Sequence, residues 1–410
     1  TRGRVVSELF GKYGLPLEVK FCKKCTMSNQ RPASEREFGS KKDATKRIIS
    51  FDGEGVCSAC RHNEAKELIN WKEREKELTE LCNKHRRKDG SFDCILPGSG
   101  GKDSVYAAHI LKYKYNMNPL TITWPPNLYT NIGRKNFSAW LDSGFTNLTY
   151  FPNQKVHKLL TKYAFLNLGH PFQPFMLGQM NLAPKISYER GIPLVIYGEN
   201  PAEYGSAIEE NLLPTKDASY YSSEFQLDDI YLGGVCAKEI IQDNNLKYSE
   251  LDAYLPADPY KLKKNKTEVH YLGYYINWHP QEMYYFSVEK TKFEPMPFRV
   301  EGGYSKYSSM DDKLDWLHWD TYYIKFGMGR ATQDSSQEIR NGDITRDEGV
   351  CLVKRFDGEF PYEFLNDCCK YMEISKETFL EAIESFRTPH LWEKRNGKWK
   401  LSSSVWSKRR

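Results

Sequence analysis

The sequence predicts a doubly wound parallel α/β sheet, preceded by a small cysteine-stapled module and followed by a helical C-terminal part. Three observations carry that expectation. Short apolar runs alternate with helical stretches between residues 92 and 197, as strands and crossover helices do in a parallel sheet. The first run passes through a glycine-rich turn into a helix. Two Cys-x-x-Cys pairs lie upstream, in a segment too polar to fold without a staple.

The cysteine module comes first. Cys22-x-x-Cys25 and Cys57-x-x-Cys60 are separated by 31 residues. Four thiolates in two knuckles suit a closed tetrahedral Zn²⁺ site, and a closed site is structural rather than catalytic. His62 is an alternative ligand, and Lys41–Ser50 reads as an excursion between the knuckles. The chain has ten cysteines, too sparse for a disulfide scaffold, which points to a reducing compartment and one metal site. Residues 63–88 then read as one helix, with Leu68, Trp71, Leu78, Leu81, Cys82 and His85 near helical spacing and Gly90 as its stop.

From residue 92 the strands are Phe92–Leu96, Leu120–Trp124, Asn147–Phe151 and Pro193–Tyr197. Helical stretches are read at Asp103–Leu111, Asn136–Leu141, 155–168 and 176–190. Residues 255–310, rich in Tyr, Pro and Lys, show no clear period, 311–345 look helical in part, and 361–390 suggest a small helical unit. These readings divide the 410 residues into a zinc-binding four-cysteine module (1–62), a linker helix (63–90), an α/β domain (91–250) and a substrate-binding, helical C-terminal region (251–410).

The strongest chemical signal is Ser99-Gly100-Gly101-Lys102-Asp103-Ser104. Glycines let backbone approach an anion closely, and a helix N-terminus adds unpaired N–H groups and a positive dipole end. The hydroxyls of Ser99 and Ser104 and the Lys102 ammonium complete a pyrophosphate cradle. It is not a Walker A loop, because Asp103 stands where Ser or Thr is required. Gly198-Glu199-Asn200-Pro201-Ala202-Glu203 follows the fourth strand. With a strand order of 3-2-1-4 it adjoins the Ser99 loop at the switch point where ligands bind. There Glu199 either binds Mg²⁺ or orients a substrate amide; otherwise the segment is a solvated turn. In Lys325-Phe326-Gly327-Met328-Gly329-Arg330, the flanking cations read as a clamp on departing pyrophosphate, or as a surface helix with i,i+4 ion pairs toward Asp334, Glu338 and Arg340.

Composition sets bounds. With 59 basic and 54 acidic residues the net charge is +5, and mean hydropathy is −0.68. No apolar run approaches the ~18 residues of a membrane helix and no secretory leader is seen, so a cytoplasmic protein without membrane contact is expected. Residues 1–90 hold 21 basic and 14 acidic residues, so the remainder is net −2. The positive field therefore belongs to the N-terminal head, where Arg86, Arg87 and Lys88 suggest a protein-docking surface rather than a nucleic-acid track.

The hexapeptide resembles the SGGxDS motif of PP-loop ATP pyrophosphatases, the adenine nucleotide alpha-hydrolase group. Together with FCKKCTMSNQRP, YGENPAEYG, IKFGMGRATQDSSQEIRNG and FDGEFP, the chain resembles the N-acetyl sugar amidotransferases of the WbpG/PseA type, from lipopolysaccharide and flagellin-glycan biosynthesis. The resemblance implies ATP and Mg²⁺ as cofactors beside structural Zn²⁺. It also implies that an acetamido group of a nucleotide sugar becomes acetamidino through an O-adenylyl imidate, with AMP released. Asp103 would lie near Mg²⁺ and the phosphates. Ser99, Gly100, Gly101, Lys102, Asp103, Ser104, Lys325 and Arg330 would hold the nucleotide, and Asp103, Lys102 and Glu199 would serve catalysis. No glutaminase nucleophile is recognisable, so ammonia would come from a separate glutaminase resembling that of the imidazole glycerol phosphate synthase pair. The alternative is a tRNA-modifying PP-loop enzyme of the zinc-ribbon thiolase type.

Overall fold

The computed structural model describes residues 11–205 and 213–407. Its centre is a five-stranded, wholly parallel sheet of β1 (Cys94–Pro97), β2 (Pro119–Thr123), β3 (Asn147–Thr149), β4 (Leu194–Tyr197) and β5 (Glu268–Tyr271), in the order β3-β2-β1-β4-β5. The expected order 3-2-1-4 holds, and β5 is an addition from the stretch without legible periodicity.

The apolar runs form strands because both faces are covered, as a parallel sheet requires. Side chains alternate between two cores. Ile95 and Val195 face one core, and Cys94, Leu96, Leu194 and Ile196 face the other. The second core is closed by α2 (Trp71–His85), α3 (Lys102–His109) and α4 (Asn131–Asp142). The first is closed by α5 (Gln154–Tyr163) and α6 (Gln173–Arg190). Close approach of α6 to the sheet depends on Gly178: a Cβ there would stand 2.1 Å from the Trp124 ring.

One expectation about the head is corrected. The single helix over 63–88 is broken into α1 (Ser58–Glu67) and α2, because Asn70 caps α2 by accepting from Glu73 N–H at 3.4 Å. Leu68, expected on the apolar face, is 89% exposed in the break. Arg86 and Arg87, read in the sequence as docking cations with Lys88, also make bonds within the chain. Arg86 donates to the carbonyls of Tyr115 and Asn116, Arg87 donates to the Gly191 carbonyl, and Asp93 accepts from Arg87 N–H at 2.6 Å and Asn118 N–H at 2.7 Å. These cations tie the end of α2 to the N-terminal ends of β1, β2 and β4, opposite the Ser99 loop.

The C-terminal part adds α7 (Pro280–Lys290), α8 (Lys313–Phe326), α9 (Arg330–Asn341), α10 (Arg346–Phe356), α11 (Tyr362–Met372) and α12 (Lys376–Phe386), then a hairpin of Trp392–Arg395 and Lys398–Leu401. Asp312 joins this part to the α/β core. It caps α8 through Leu314 N–H at 2.9 Å and accepts from Asn127 N–H at 2.6 Å beyond β2. Among the described residues no helix is long and apolar enough to cross a membrane.

Alanine normally stabilises a helix by about 1 kcal/mol relative to glycine. At Gly178 the sign should reverse: Gly178→Ala is expected to cost roughly 1–3 kcal/mol through overpacking against Trp124. The urea midpoint measures this, and a stabilised variant would contradict the packing described.

Candidate functional site

Four thiols come together first. The sulfurs of Cys22, Cys25, Cys57 and Cys60 all lie within 4.8 Å of one another, with Cys22 and Cys60 at 3.8 Å and Cys25 and Cys57 at 3.7 Å. Tetrahedral ligands at about 2.3 Å from zinc stand about 3.8 Å apart, so the spacing fits a tetrathiolate metal and is far beyond a disulfide bond. Backbone N–H groups of Lys24 and Cys57 point at Cys22 Sγ at 3.4 Å, outer contacts that stabilise thiolate. All four side chains are buried, so a metal here would be held without an open position. His62 is not among these ligands; its Nε2 lies 3.8 Å from Glu203.

The module does more than close on itself. α1 starts just after Cys57, so Ser58 Oγ donates to the Gly205 carbonyl at 2.9 Å and Lys66 Nζ reaches Glu203 at 2.8 Å. From the first knuckle, Thr26 Oγ1 meets the hydroxyls of Ser335 and Ser336 at 2.9 and 2.8 Å, and Arg31 donates to Gln333. Arg340 completes the clamp, donating to the Glu203 carbonyl at 2.8 Å. The knuckles thus fix both the 199–205 loop and α9.

Between that loop, α9 and the Ser99 turn lies a cavity of about 410 Å³. Gly100 has φ +85°, and a Cβ there would meet the Phe137 backbone at 2.6 Å, so only glycine makes this turn. Gly101 starts α3 without a side-chain cap, which leaves first-turn N–H groups available to an anion. Ser104 Oγ bridges the Gly101 carbonyl at 2.9 Å and Gly100 N–H at 3.2 Å, and so shapes the turn. Lys102 Nζ lies 2.6 Å from Asp103 Oδ2, while Asp103 Oδ1 is buried without a partner. An orphaned carboxylate oxygen beside an uncapped helix N-terminus fits a hard divalent cation such as Mg²⁺.

Glu199 and Arg330 line the same cavity. Burial and the nearby Asp103 charge push the Glu199 carboxyl up to about 7, and the Tyr204 hydroxyl donates to it. Arg330 holds Asp334 in a two-point ion pair, at 2.9 and 3.1 Å, with its guanidinium 5.1 Å from the Trp319 ring. The expected partner cation is elsewhere. Lys325 is 6% exposed, donates to the Leu168 carbonyl at 2.6 Å and does not line the cavity. On a helix of 3.6 residues per turn it is rotated roughly 120° from Trp319. The clamp therefore reduces to Arg330.

Sequence reasoning missed much of the wall. Asp311, which accepts from Ser99 Oγ at 3.0 Å, and Asp315, Tyr204 and Arg31 all line the cavity. Among the described residues seven lining carboxylates face three cations, Arg31, Lys102 and Arg330. The one available signal was the Asp311-Asp312 pair directly before α8.

Comparison with known proteins adds the following. Residues 301–405 match the family model described as LPS biosynthesis protein WbpG-like, C-terminal domain, which supports the WbpG/PseA-type family that the motifs suggest. The chain is 38% identical over 78 residues to Uncharacterized protein MJ1599 of Methanocaldococcus jannaschii, covering 19% of this chain and 28% of that protein. It is also similar to the U34-tRNA thiolase NcsA from Methanococcus maripaludis with its [4Fe-4S] cluster, at 14% identity and a TM-score of 0.26, over 82% of this chain and 89% of that one.

Metal analysis of the purified chain should return one ion per molecule, and Cys60→Ala should abolish it. Because Ser58 and Lys66 hang on α1, stripping the metal should reduce nucleotide affinity as well as thermal stability. A stripped protein that binds nucleotide unchanged would separate the module from the site.

Proposed function

We propose that this chain, which carries a WbpG-like domain at residues 301–405, is an ATP-dependent, AMP-forming amidotransferase. It would convert an acetamido group of a nucleotide sugar to acetamidino in lipopolysaccharide or related surface-glycan synthesis in the cytoplasm. One observation carries the reading. The phosphate-cradling Ser99–Ser104 turn, Glu199 after β4 and Arg330 of the WbpG-like domain converge on a single cavity.

The chemistry follows from the wall. First-turn N–H groups of α3 and Lys102 hold the β- and γ-phosphates, leaving the α-phosphorus open. Asp103 would hold Mg²⁺, which supplies charge neutralisation on the phosphates. The acetamido oxygen attacks the α-phosphorus, the P–O bond to pyrophosphate breaks, and the amide nitrogen gives up its proton. Glu199, poised near pH 7, suits that proton, since a base works best with a pKa close to the working pH. Ammonia then adds to the imidate carbon, the C–O bond to AMP breaks, and the amidine remains. Arg330 supports the charge on the departing phosphates.

The ammonia source would be a separate glutaminase. No cysteine lines the cavity among the described residues. Outside the metal knuckles, Cys82, Cys94, Cys236, Cys368 and Cys369 are buried and Cys351 is exposed. The acidic wall disfavours a nucleic-acid backbone, which supports a small-molecule substrate over tRNA.

Incubation with ATP, Mg²⁺, ammonium and candidate diacetamido sugar nucleotides should replace one oxygen by NH, read by mass spectrometry, with AMP as co-product. ADP formation, or turnover with glutamine by this chain alone, would overturn the reading. In the pyrophosphate-forming half-reaction the rate should rise as pH passes about 7, where Glu199 becomes carboxylate, and then level. Glu199→Gln should flatten that limb and lower the rate roughly 10²–10⁴-fold.

A further inference from the structure

Three cavities share walls along α8. The catalytic cavity and a small inner cavity of about 10 Å³ share Trp319 and Arg330. The inner cavity and an outer cleft of about 720 Å³ share Asp320, Tyr323 and Gly358. The outer cleft opens between α8, α12 and the C-terminal hairpin. Trp316, Trp319, Asp320 and Tyr323 stand at i, i+3, i+4 and i+7, one stripe of α8 that runs for about 10 Å at 1.5 Å per residue.

The inner cavity has the volume of a single small molecule. Four of its side chains carry buried polar atoms without a protein partner: Glu301 Oε2, Asp320 Oδ2, Trp316 Nε1 and Trp319 Nε1. Two acceptors and two donors around one small void is an arrangement that solvates a molecule with both N–H or O–H donors and a lone pair. Water and ammonia are such molecules, held here among the side chains of Glu301, Asp320, Asp357, Glu359 and Arg330. None of these atoms is used by the chemistry proposed above.

We propose that this stripe is a passage that leads ammonia from the outer cleft to the imidate carbon, behind the bound nucleotide and sugar. The inference rests on the amidotransferase reading. Trp319 and Arg330 are the two residues that the inner and catalytic cavities share, so a nucleophile from the inner cavity enters between them. Ammonia crosses the inner cavity by donating to Glu301 and Asp320 and accepting from a tryptophan N–H, which keeps it hydrogen-bonded and out of bulk water.

Two measurements test it. Glu301→Trp fills the inner cavity, and Glu301→Gln keeps its volume. The bulky variant should lower kcat/KM for ammonium about tenfold or more and leave ATP–pyrophosphate exchange within about twofold, whereas the glutamine variant should match the wild type in both. Unchanged kcat/KM for ammonium in Glu301→Trp overturns the passage. Independently of turnover, a high-resolution crystal structure of the wild-type protein should show ordered water on Glu301, Asp320 and Trp319; a dry wall, with those atoms paired to protein, overturns it. Loss of the amidotransferase reading itself would show differently, as no AMP from the wild type at any ammonium concentration.

Discussion

The four-sulfur knot is the constraint on which the rest of the site depends. A polar segment of this length has too little apolar surface to order itself. Drawing Cys22 and Cys25 against Cys57 and Cys60 makes it rigid, and its outward contacts then become levers. Ser58 and Lys66 pin residues 203–205, while Thr26 and Arg31 pin α9. Glu199 and Arg330 come from regions of chain more than a hundred residues apart and reach one cavity because the same module holds both.

The cavity that results has an acidic wall. Carboxylates outnumber cations on its wall, and burial lifts Glu199 to about 7, Asp315 to about 6 and Glu338 to about 7. The nucleotide proposed above would enter such a place only with compensation from Lys102, Arg330, the α3 N-terminus and a divalent cation. The chain's net +5 is silent about this, since its positive excess lies within the first 90 residues. Part of that excess, at Arg86 and Arg87, is taken up by backbone carbonyls.

Much of the fold was legible. Buried parallel strands are nearly continuous apolar runs, so β1, β2 and β4 stand out in the sequence. Strand β5 did not, because Glu268-Val-His-Tyr carries one aliphatic residue and satisfies its histidine through the Tyr275 hydroxyl at 2.8 Å. The break at Leu68–Asn70 was hidden because periodicity registers spacing, not whether a leucine finds a partner. Lys325 was misassigned for a related reason. A lysine beside a glycine turn has the chemistry of an anion clamp, but helix rotation sends it into the core.

By itself the sequence determined which candidate groups are at hand: a glycine-rich turn opening a helix, four thiols paired as knuckles, and a strand order that sets Glu199 beside that turn. Those follow from local spacing and from the carboxyl-end rule of parallel sheets. Only the tertiary structure decided which charges share the cavity, that Lys325 leaves it while Asp311 and Asp315 enter, and that unpaired atoms line up along α8. The direction a helical side chain takes is set by what packs against the helix, and such partners lie well outside any local window, as Leu168 does for Lys325.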